Sequence, residues 1–493
     1  MLLTHTVTIH CSHRRGFDYL SDFSNLFEWD DQVTEGWRHD LGPIREGSTF
    51  SLRYVLLGQK QLLTYTLKKM EQGRKLVFEC KTEKFTGVDT IVLKEVKGGT
   101  EVTYQADLTI KPRFNEVVLR PFFERLIVKV LTNLKSALEG GQANQIPSAE
   151  HGKRLNLVNV PYWFTASGWN KARKSFTATE NGAKKVLITG PTSGIGRSAA
   201  LTLAGKGADL VLIARDAGKL QQLSNELRTK GFKGTVDGYL CDMHDLRQVF
   251  AVSSQILQDG HQLDALINNA GALYGEEKLI DNVERTTTVD LLAPWIFSTR
   301  LLPALLPRKG CIVNVTSGGM YGVKLSLREL RRARTPYSGA RAYAQAKRAM
   351  VMFTVGLNKE FSPHGVRVHC MHPGWADTPG VLHSLPTFHK LTKRFLRSSF
   401  QGADTMVWLA MTNPKVGGKM WLDRQVQPEH LIKSTADNPV EYDELKSFLE
   451  ELVGSVDKQA NSSHIMTQQK VMTPMAEIGL AQTMNAKLYK EEF

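Results

Sequence analysis

A chain of 493 residues is too long for one hydrophobic core and predicts two or three domains. Its 42% hydrophobic and 23% charged residues are ordinary for a folded protein, and the formal charge of +14 suits a phosphate-bearing cofactor, an anionic membrane surface or a nucleic acid. No basic stripe with interleaved aromatic residues occurs, so a nucleic-acid partner is not expected. Part of the positive charge lies in residues 324–341 and 389–400, which we interpret as solvated faces.

The five cysteines are scattered without a CxxC spacing, which predicts neither a disulfide framework nor a metal site and favours a reducing compartment. The first residues, MLLTHTVTIHC, alternate like a strand and do not resemble a signal peptide. The longest apolar run, residues 291–307, is interrupted by Pro294, Arg300 and Pro303, so no membrane span is expected. We therefore expect a cytoplasmic protein, and a peripheral membrane contact and a homodimer are left open.

Up to about residue 140 the hydrophobic pattern has period two. Six alternating runs, TVTIHC, STFSLRYVLL, QLLTYTLKKM, KLVFECKTEKF, TIVLKEV and EVTYQADLTI, predict an antiparallel meander with a turn at residues 97–100. Residues 115–141 then predict a long amphipathic helix that stops at Gly140 and Gly141. The apolar positions on which this helix rests are Val118, Phe122, Leu126, Val130, Leu134 and Leu138.

A curved sheet on one long helix is a two-layer α+β design. With the preceding run FDYLSDFSNLFEWDD, residues 1–140 resemble the START-like (SRPBCC) helix-grip superfamily, which implies an apolar ligand held between sheet and helix. The alternative is that the same side chains fill a solid core. Residues 141–183 are interpreted as a linker and docking segment, in which VPYWFTASGWNKARKSF either docks on the second domain, the favoured interpretation, or lies at a membrane interface.

From Lys184 onward, short β-rich runs alternate with helix-length segments. The runs KKVLITG, ADLVLIAR, TVDGYLCD, LDALINNAG, GCIVNVTS and VRVHCMHPG predict an α/β fold with a doubly wound, Rossmann-type parallel sheet over residues 184–433. Sites in such sheets gather at the carboxyl ends of the strands. Residues 434–493 are predicted to form a helix and a loosely ordered tail.

A glycine-rich turn separates the first of these strands from its helix. Gly190, Gly194 and Gly196 let the backbone turn tightly and approach a pyrophosphate, whose charge then meets the helix N-terminus. The spacing differs from GxGxxG, and many strand–helix turns contain glycine, but here the strand, the helix and the following βαβ unit are all present. The motif NNAG (268–271), which closes the fourth strand, predicts polar amides packed against this loop.

The end of the second strand bears on which dinucleotide binds. NAD sites place a carboxylate there, whereas this chain has Ala214 followed by Arg215, whose guanidinium suits the 2′-phosphate of NADP. Asp216 follows directly, and a plain surface arginine is the alternative. Asp242, after the third strand, is interpreted as an acceptor for the adenine amino group or, alternatively, as a helix N-cap.

Tyr343 and Lys347 stand four positions apart in a run of good helix formers, RAYAQAKRAMVM. On a helix they share one face, and a cation beside a phenol favours the phenolate. An isolated YxxxK pattern is usually an exposed tyrosine with a solvated lysine. The surrounding motifs favour a catalytic pair here.

Taken in order over residues 184–425, the glycine turn, NNAG, a serine after the fifth strand, YxxxK and HPGWADTP are similar to the short-chain dehydrogenase/reductase family. The resemblance implies that Tyr343 is the acid/base, that Lys347 lowers its pKa and binds the nicotinamide ribose, and that Ser317 holds the substrate oxygen. The START-like front domain departs from this pattern. The implied cofactor-binding residues are Thr189, Gly190, Ser193, Gly194, Ile195, Gly196, Arg215, Asp242, Asn269, Ala270, Gly271, Tyr343, Lys347, Pro373, Gly374 and Thr378.

Asp290 is a second departure, at a place where the family usually has an asparagine that anchors a water in the proton relay. An ionised carboxylate near Lys347 would stabilise the ammonium but repel a tyrosinate. A protonated carboxyl and a shifted helix are the alternatives. Asp290 is kept among the catalytic candidates.

These residues predict an NADP-dependent oxidoreductase that acts on a lipophilic carbonyl or alcohol and carries an N-terminal lipid-binding module. The rival function is a lipid-binding or transfer protein with a catalytically impaired, NADP-binding dehydrogenase domain. A purely structural fusion, the third alternative, predicts no stabilisation by NADP(H).

Overall fold

The computed structural model describes residues 1–56, 59–83, 85–110, 114–139, 155–156, 158–179, 182–384, 386–436 and 440–462. It divides the chain into two compact units. The first contains Met1–Gln145, Ser167–Asn181 and Arg228–Lys233, and the second contains the rest. The helix stop predicted at Gly140 and Gly141 lies outside the described residues, and so does the part of the predicted C-terminal tail after residue 462.

The first unit is built on a seven-stranded antiparallel sheet in the order β1-β7-β6-β5-β4-β3-β2. Alternate residues face its buried side, as the two-residue period predicts. The hairpin between β6 and β7 turns at the predicted position, where Val96 pairs with Gly99 and Gly98 has a φ of +88°, which favours glycine. The strands are β1 (Leu2–Ile9), β2 (Val33–Arg38), β3 (Thr49–Leu56), β4 (Gln59–Glu71), β5 (Lys75–Lys81), β6 (Phe85–Val96) and β7 (Gly99–Ile110).

Strand β2 is absent from the sequence prediction. Its pairing with β3 shifts register between Val33 and Glu35. Such a bulge adds a residue and breaks the two-residue period on which the prediction rests.

Two helices accompany this sheet, α1 (His13–Ser21) and α2 (Phe114–Glu139). The predicted buried face of α2 is wrong in its first half, since Phe122 is 37% exposed and Leu126 is only partly buried. The predicted positions follow one another at steps of four, which rotate by about 40° each on a helix of 3.6 residues per turn. The side chain of Val118 lies outside the described residues. The buried positions are Phe123, Ile127, Val130, Leu131, Leu134, Ala137 and Leu138.

The first unit has a cavity of about 710 Å³ with walls from the sheet and α2. Apolar side chains such as Leu63, Leu108, Phe123 and Ile127 line much of it. The solid-core alternative is therefore wrong, and the cavity predicted from the START-like resemblance is present.

The predicted docking segment is divided between the two units. Its first part contains α3 (Val160–Trp163) and belongs to the second unit, where Phe164 is buried. The part after α4 begins (Ala166–Ala172) belongs to the first unit, where Trp169 is fully buried and Arg173 donates to the Asp31 carbonyl at 2.6 Å. Docking of the whole segment on the second domain is therefore wrong, because aromatic composition does not reveal which core a residue joins.

The second unit is built on an eight-stranded sheet in the order β10-β9-β8-β11-β14-β15-β16-β17. All pairs are parallel except β16 with β17, and the six predicted strands are present. The connection direction reverses at β8, the place where doubly wound sheets form a crevice. The strands of this sheet are β8 (Lys185–Thr189), β9 (Asp209–Ala214), β10 (Val236–Leu240), β11 (Ala265–Asn268), β14 (Cys311–Val315), β15 (Arg367–Met371), β16 (Met420–Leu422) and β17 (Gln425–Gln427). Two further short strands, β12 (Leu279–Ile280) and β13 (Val283–Glu284), pair only with each other.

Helices flank this sheet, and the last of them, α17, buries Leu445, Leu449 and Leu452 in the core of the second unit. The C-terminal helix is therefore part of the dehydrogenase-like core. The helices are α5 (Gly194–Gly205), α6 (Ala217–Thr229), α7 (Leu246–Gln258), α8 (Arg285–Thr287), α9 (Ala293–Arg300), α10 (Leu302–Leu305), α11 (Leu327–Arg331), α12 (Gly339–Phe361), α13 (Pro379–Ser384), α14 (Pro386–Thr392), α15 (Ser399–Thr412), α16 (Lys433–Ala436) and α17 (Tyr442–Ser462).

In the described part of the chain, no single helix has the length and composition needed to cross a membrane. The apolar run noted in the sequence passes that test only as two pieces, Arg285–Arg300 and Leu302–Arg308, which are bent by 56°. Trp295 and Leu305 of these pieces lie in the hydrophobic core.

Candidate active site

Tyr343 and Lys347 lie on one face of α12, as their spacing predicts. The Lys347 Nζ atom is 5.5 Å from the centre of the Tyr343 ring. Lys347 is buried, and its ammonium donates to the Val315 carbonyl at 3.0 Å, so the end of β14 fixes its position. The Thr316 hydroxyl also donates to the Lys347 carbonyl at 2.9 Å, which ties α12 to the same strand end.

Ser317 lies two residues after β14 and adjoins the Tyr343 hydroxyl, and hydrogen bonding to Ser317 lowers the pKa of that phenol. It starts the short 3₁₀ turn Gly318–Gly322 without using its side chain as a cap. A Cβ atom on Gly318 would lie 2.8 Å from Nε2 of His372, the residue that follows β15, so the backbone beside Ser317 closely approaches the end of that strand. The structure thus brings Ser317, Tyr343 and Lys347 together at the carboxyl ends of the strands.

Asp290 completes the group. It lies in a π-helical turn, Thr288–Leu292, between α8 and α9, and its carboxylate is 3.0 Å from Lys347 Nζ with both side chains buried. The Ala272 N–H donates to its other oxygen at 3.1 Å. The Asp290 carboxyl therefore lies beside the Lys347 ammonium, and the alternative of a helix shifted away from Lys347 is excluded.

The pKa values of this group show how far the tyrosine is activated. Burial raises the pKa of the Tyr343 phenol; the Lys347 ammonium and the Ser317 hydrogen bond oppose that rise, whereas Asp290 adds to it. Lys347 therefore acts in the direction that the resemblance implies, but the phenol pKa stays above its ordinary value. Burial lowers the pKa of Lys347, but the Asp290 carboxylate together with Tyr343 and Cys370 holds that pKa above its ordinary value.

The glycine turn is held by the NNAG segment. The Asn269 amide donates to the carbonyls of Thr189 and Gly190 at 2.9 and 3.2 Å, and the Ala270 N–H donates to the Thr189 hydroxyl at 2.9 Å. Gly190 has a φ of +68°, and a Cβ on Gly196 would collide with the Gly190 carbonyl and the Asn269 amide. Asn268 instead turns inward and donates to Asn314 at 2.8 Å, a structural role that the sequence did not separate from that of Asn269.

The last residue of that motif connects the glycine turn to the catalytic group. A Cβ on Gly271 would collide with the Asp290 carboxylate and lie 3.3 Å from Lys347 Nζ. Only glycine leaves room for the buried ion pair here. The predicted cofactor residues and the predicted catalytic residues are thus neighbours.

The start of α5 has donors available for an anion. Ser193 precedes the helix in extended conformation and makes no capping hydrogen bond, while Ile195 packs close to Gly402 of α15. A Cβ on Gly194 would lie 3.3 Å from the Thr378 methyl group, so Thr378 borders the same turn. Free N–H groups at a helix N-terminus beside small residues fit a pyrophosphate.

Arg215 and Asp242 lie at the ends of β9 and β10. Arg215 is exposed, while Asp216 accepts from the Lys219 N–H at 2.9 Å and so caps α6. Asp242 is not a helix N-cap, because Asp245 caps α7; Asp242 accepts instead from His244 Nδ1 at 2.7 Å. Burial tends to raise the pKa of Asp242, but its bonds to His244 and the nearby Arg215 lower it.

Arg397 is a functional neighbour that the sequence missed. Its segment was interpreted as a solvated face, but Arg397 is 1% exposed and pairs with Asp423 at 2.6 and 2.9 Å. It also donates to the Pro373 carbonyl at 3.4 Å, and a Cβ on Gly374, whose φ is +76°, would collide with its guanidinium. Arg397 therefore packs against the Pro373–Gly374 turn and helps to set its shape. No local sequence pattern indicates that Asp423, 26 residues away, is its partner.

Among the described residues no group of three histidine, cysteine, aspartate or glutamate side chains is placed to hold a metal ion. All five cysteines are buried and unpaired with one another.

Comparison with known proteins finds a matching family for each of the two domains. The family profile described as short chain dehydrogenase matches residues 184–385, and that described as polyketide cyclase / dehydrase and lipid transport matches residues 2–139. Dehydrogenase/reductase SDR family member 12 of Homo sapiens is 34% identical over 320 residues, which cover 60% of this chain and 98% of that protein. Retinol dehydrogenase 12 of Homo sapiens is 30% identical, covering 49% of this chain and 78% of its own length, and retinol dehydrogenase 14 of Mus musculus is 30% identical, covering 48% and 75%. The chain belongs to the short-chain dehydrogenase/reductase family and carries a START-like domain before its dehydrogenase domain.

Proposed function

We propose that this protein is an NADP(H)-dependent oxidoreductase that transfers a hydride between the nicotinamide and a lipophilic carbonyl or alcohol, with lipid bound in its N-terminal domain. The observation that carries the proposal is the grouping of Tyr343, Ser317 and Lys347 near the glycine turn at the start of α5. The lipophilic substrate is supported by the N-terminal cavity and by the retinol dehydrogenases among the relatives.

The residues present fit a dinucleotide. Gly190 and Gly194 have positive φ angles, and a Cβ on Gly196 would collide with the Gly190 carbonyl, so only glycines allow this tight turn. The uncapped start of α5 that follows the turn offers N–H groups to a pyrophosphate. Exposed Arg215 suits a 2′-phosphate, and the neighbouring Asp216 is engaged as a cap, which removes the main objection to NADP.

When bound, the nicotinamide supplies or accepts the hydride. Ser317 orients the substrate oxygen by a hydrogen bond, and Tyr343 exchanges a proton with that oxygen. Because burial keeps the pKa of Tyr343 high, the phenol holds its proton at neutral pH, and this suits reduction of a carbonyl. Lys347, held by Asp290 and the Val315 carbonyl, keeps a fixed positive charge beside the phenol.

The test is NADPH consumption by the full chain with all-trans-retinal or dodecanal, with the alcohol product measured in parallel. We expect one alcohol formed per NADPH, and a loss of about 10²- to 10⁴-fold in Tyr343→Phe, because general acid catalysis contributes that much. NADPH should still raise the melting temperature of Tyr343→Phe. The exposed Tyr162→Phe is the matched control. Unchanged turnover in Tyr343→Phe would show that the catalytic assignment is wrong.

The choice of NADP is tested by Arg215→Ala. A hydrogen bond to a charged group contributes about 1.5–3 kcal/mol, so the KM for NADPH should rise roughly tenfold or more while that for NADH hardly changes. The exposed Arg332→Ala serves as control. Equal changes for both cofactors would contradict recognition of a 2′-phosphate by Arg215.

A second candidate function is lipid binding or transfer without turnover, and Asp290 is the observation that favours it. Its carboxylate raises the pKa of Tyr343 and binds Lys347, where the family usually has a neutral asparagine. Stoichiometric NADPH consumption with a cell lipid extract would exclude this candidate. A melting temperature unmoved by NADP(H) would instead support a purely structural domain.

A further inference from the structure

The cavity of the N-terminal unit is apolar on most of its wall but contains a compact polar group, which we call the carboxyl–phenol cluster: Asp30, Tyr54, Tyr65, Asp89 and Tyr104. All five side chains line the cavity. Asp89, Tyr65 and Tyr104 are each at most 7% exposed. Polar groups are costly in an apolar interior unless they have a purpose there or satisfy one another.

Within the cluster, the phenol hydroxyls lie against the two carboxyl groups. The Tyr104 and Tyr65 hydroxyls adjoin Asp89, and hydrogen bonding to them lowers the pKa of its carboxyl. Asp30 accepts from the Tyr54 hydroxyl at 2.5 Å and from the Gln32 N–H at 2.8 Å. Each phenol donates its hydroxyl hydrogen to a carboxyl. The lone pairs on the phenol oxygen can therefore still accept a hydrogen bond from a ligand.

The position of Asp89 in its strand shows that it is not a surface residue turned inward by chance. It lies in phase with Ile91 and Leu93 on the buried face of β6 and pairs in register with Ala106 of β7. A solid core would place an aliphatic side chain here, as it does at the next two inward positions. Asp89 is instead the polar end of a wall that otherwise encloses hydrocarbon.

The charges around the cavity limit what can meet this cluster. The lining residues include three acids, Asp30, Glu83 and Asp89, and none of the described lining residues is a lysine, arginine or histidine. A fatty-acid carboxylate or a phosphate would be buried against like charge with no counterion. Burial raises the pKa of Asp30, and that of Asp89 to about 7, so an ammonium would leave water to meet carboxyls that are not fully ionised. Near neutrality Asp89 can either donate or accept a hydrogen bond, which suits a neutral hydroxyl.

We infer that the N-terminal cavity binds an uncharged amphiphile by its hydroxyl group, with Asp89, Tyr65 and Tyr104 holding that hydroxyl and the apolar walls enclosing the chain. A cavity of this volume is of the size that encloses small-molecule ligands. The inference deepens the proposed function and rests on it in one respect: an alcohol is one of the two partners of the hydride transfer proposed above.

The experiment compares three probes that share one chain and differ in their head group: dodecan-1-ol, dodecanoate and dodecylammonium. Binding to the full-length protein without NADP(H) is measured by titration calorimetry at neutral pH. We expect dodecan-1-ol to bind at least tenfold more tightly than either charged probe. Tighter binding of dodecanoate, tighter binding of dodecylammonium, or no binding of any probe would each overturn the inference.

Two variants locate the site. Asp89→Asn and Tyr65→Phe should each weaken dodecan-1-ol about tenfold or more, whereas Asp107→Asn, an exposed carboxyl on β7, should not. Tyr65→Phe keeps the test valid where Asp89→Asn fails to fold. Equal affinity in the wild type and in a folded Asp89→Asn or Tyr65→Phe variant would place the alcohol elsewhere.

The failure of this inference can be told apart from the failure of the proposed function. Tyr343→Phe should still bind dodecan-1-ol at the N-terminal cavity while losing turnover. Retained turnover in Tyr343→Phe speaks against the catalytic assignment alone, whereas loss of the preference for the alcohol speaks against the cavity assignment alone.

Discussion

Two buried carboxyl groups, one in each unit of this chain, are accommodated in different ways. Asp290 is fully buried and has the Lys347 ammonium at 3.0 Å, whereas Asp89 is 4% exposed and has two phenols. Burial raises the pKa of both. At Asp290 the Lys347 ammonium opposes that rise by its charge and by hydrogen bonding, and the pKa still stays above its ordinary value. At Asp89 the phenols oppose the rise by hydrogen bonding alone, and the carboxyl titrates near neutrality.

The difference has a functional meaning. A site that transfers hydride needs a fixed field around its acid, and an ion pair between α12 and the turn before α9 provides one. A cavity that holds a neutral ligand needs a group that can donate and accept, and a carboxyl with a pKa of about 7 does both. Each of the following predictions tests one side of this comparison.

The largest effect is expected for Lys347→Met, which leaves Asp290 buried without its counterion. Removing one partner of a buried pair costs about 3–5 kcal/mol. We expect the unfolding transition of the dehydrogenase unit to lose that much free energy in calorimetry or chemical denaturation. Lys359→Met, on the exposed side of the same helix, should stay within about 0.5 kcal/mol. Equal losses in the two variants would mean that the pair does not stabilise the fold.

The pH dependence of the first unit is the next largest effect. The pKa of Asp89 rises from 3.8 to about 7 on folding, so the folded state binds more protons between those values and loses stability as pH rises through them. The loss is about 1.4 kcal/mol per pH unit across that window. Asp89→Asn should flatten this part of the curve of unfolding free energy against pH, while Asp107→Asn should keep it. A wild-type curve that is already flat from pH 4 to 7 would contradict the buried state of Asp89.

Asp290→Asn is expected to move a pH profile without abolishing activity. Because the Asp290 carboxylate raises the pKa of Tyr343, its neutral isostere should lower that pKa, and the alkaline limb of the pH profile for carbonyl reduction should shift to lower pH. The measurement is kcat/KM against pH. The control is Asp281→Asn, which changes an exposed carboxyl in the turn between β12 and β13 and should leave the pH profile where it is. An unmoved alkaline limb would indicate that the carboxyl is neutral in the working enzyme.

The smallest effect is expected for Tyr65→Phe. Losing one of its two phenol donors should raise the pKa of Asp89 further, so the decline in stability extends to higher pH. The cost at alkaline pH is about 1 kcal/mol, the usual contribution of one hydrogen bond. Denaturation curves at neutral and alkaline pH measure it, and a difference that shrinks as pH rises would be inconsistent with this arrangement.

The sequence by itself determined the two-domain division into a meander with a long helix and a Rossmann-type sheet, because both depend on local periodicity and turn chemistry. It also determined Tyr343, Lys347, Ser317 and the glycine turn as neighbours, since parallel strands bring their carboxyl ends to one edge. Spacing along one helix placed Tyr343 and Lys347 on a common face, but it gave the wrong buried face for the first half of α2.

Only the tertiary structure decided the partners of buried charged groups. Nothing near Arg397 indicates its pairing with Asp423, and Asp89 looks like an ordinary polar residue between strand positions. The family resemblance raised a contact between Asp290 and Lys347 only as one of several alternatives, and the structure decided among them. The bulge in β2 and the division of the docking segment were likewise invisible. The reason is physical: burial and charge pairing are set by residues distant in the chain, and their energies arise only once those residues are packed together.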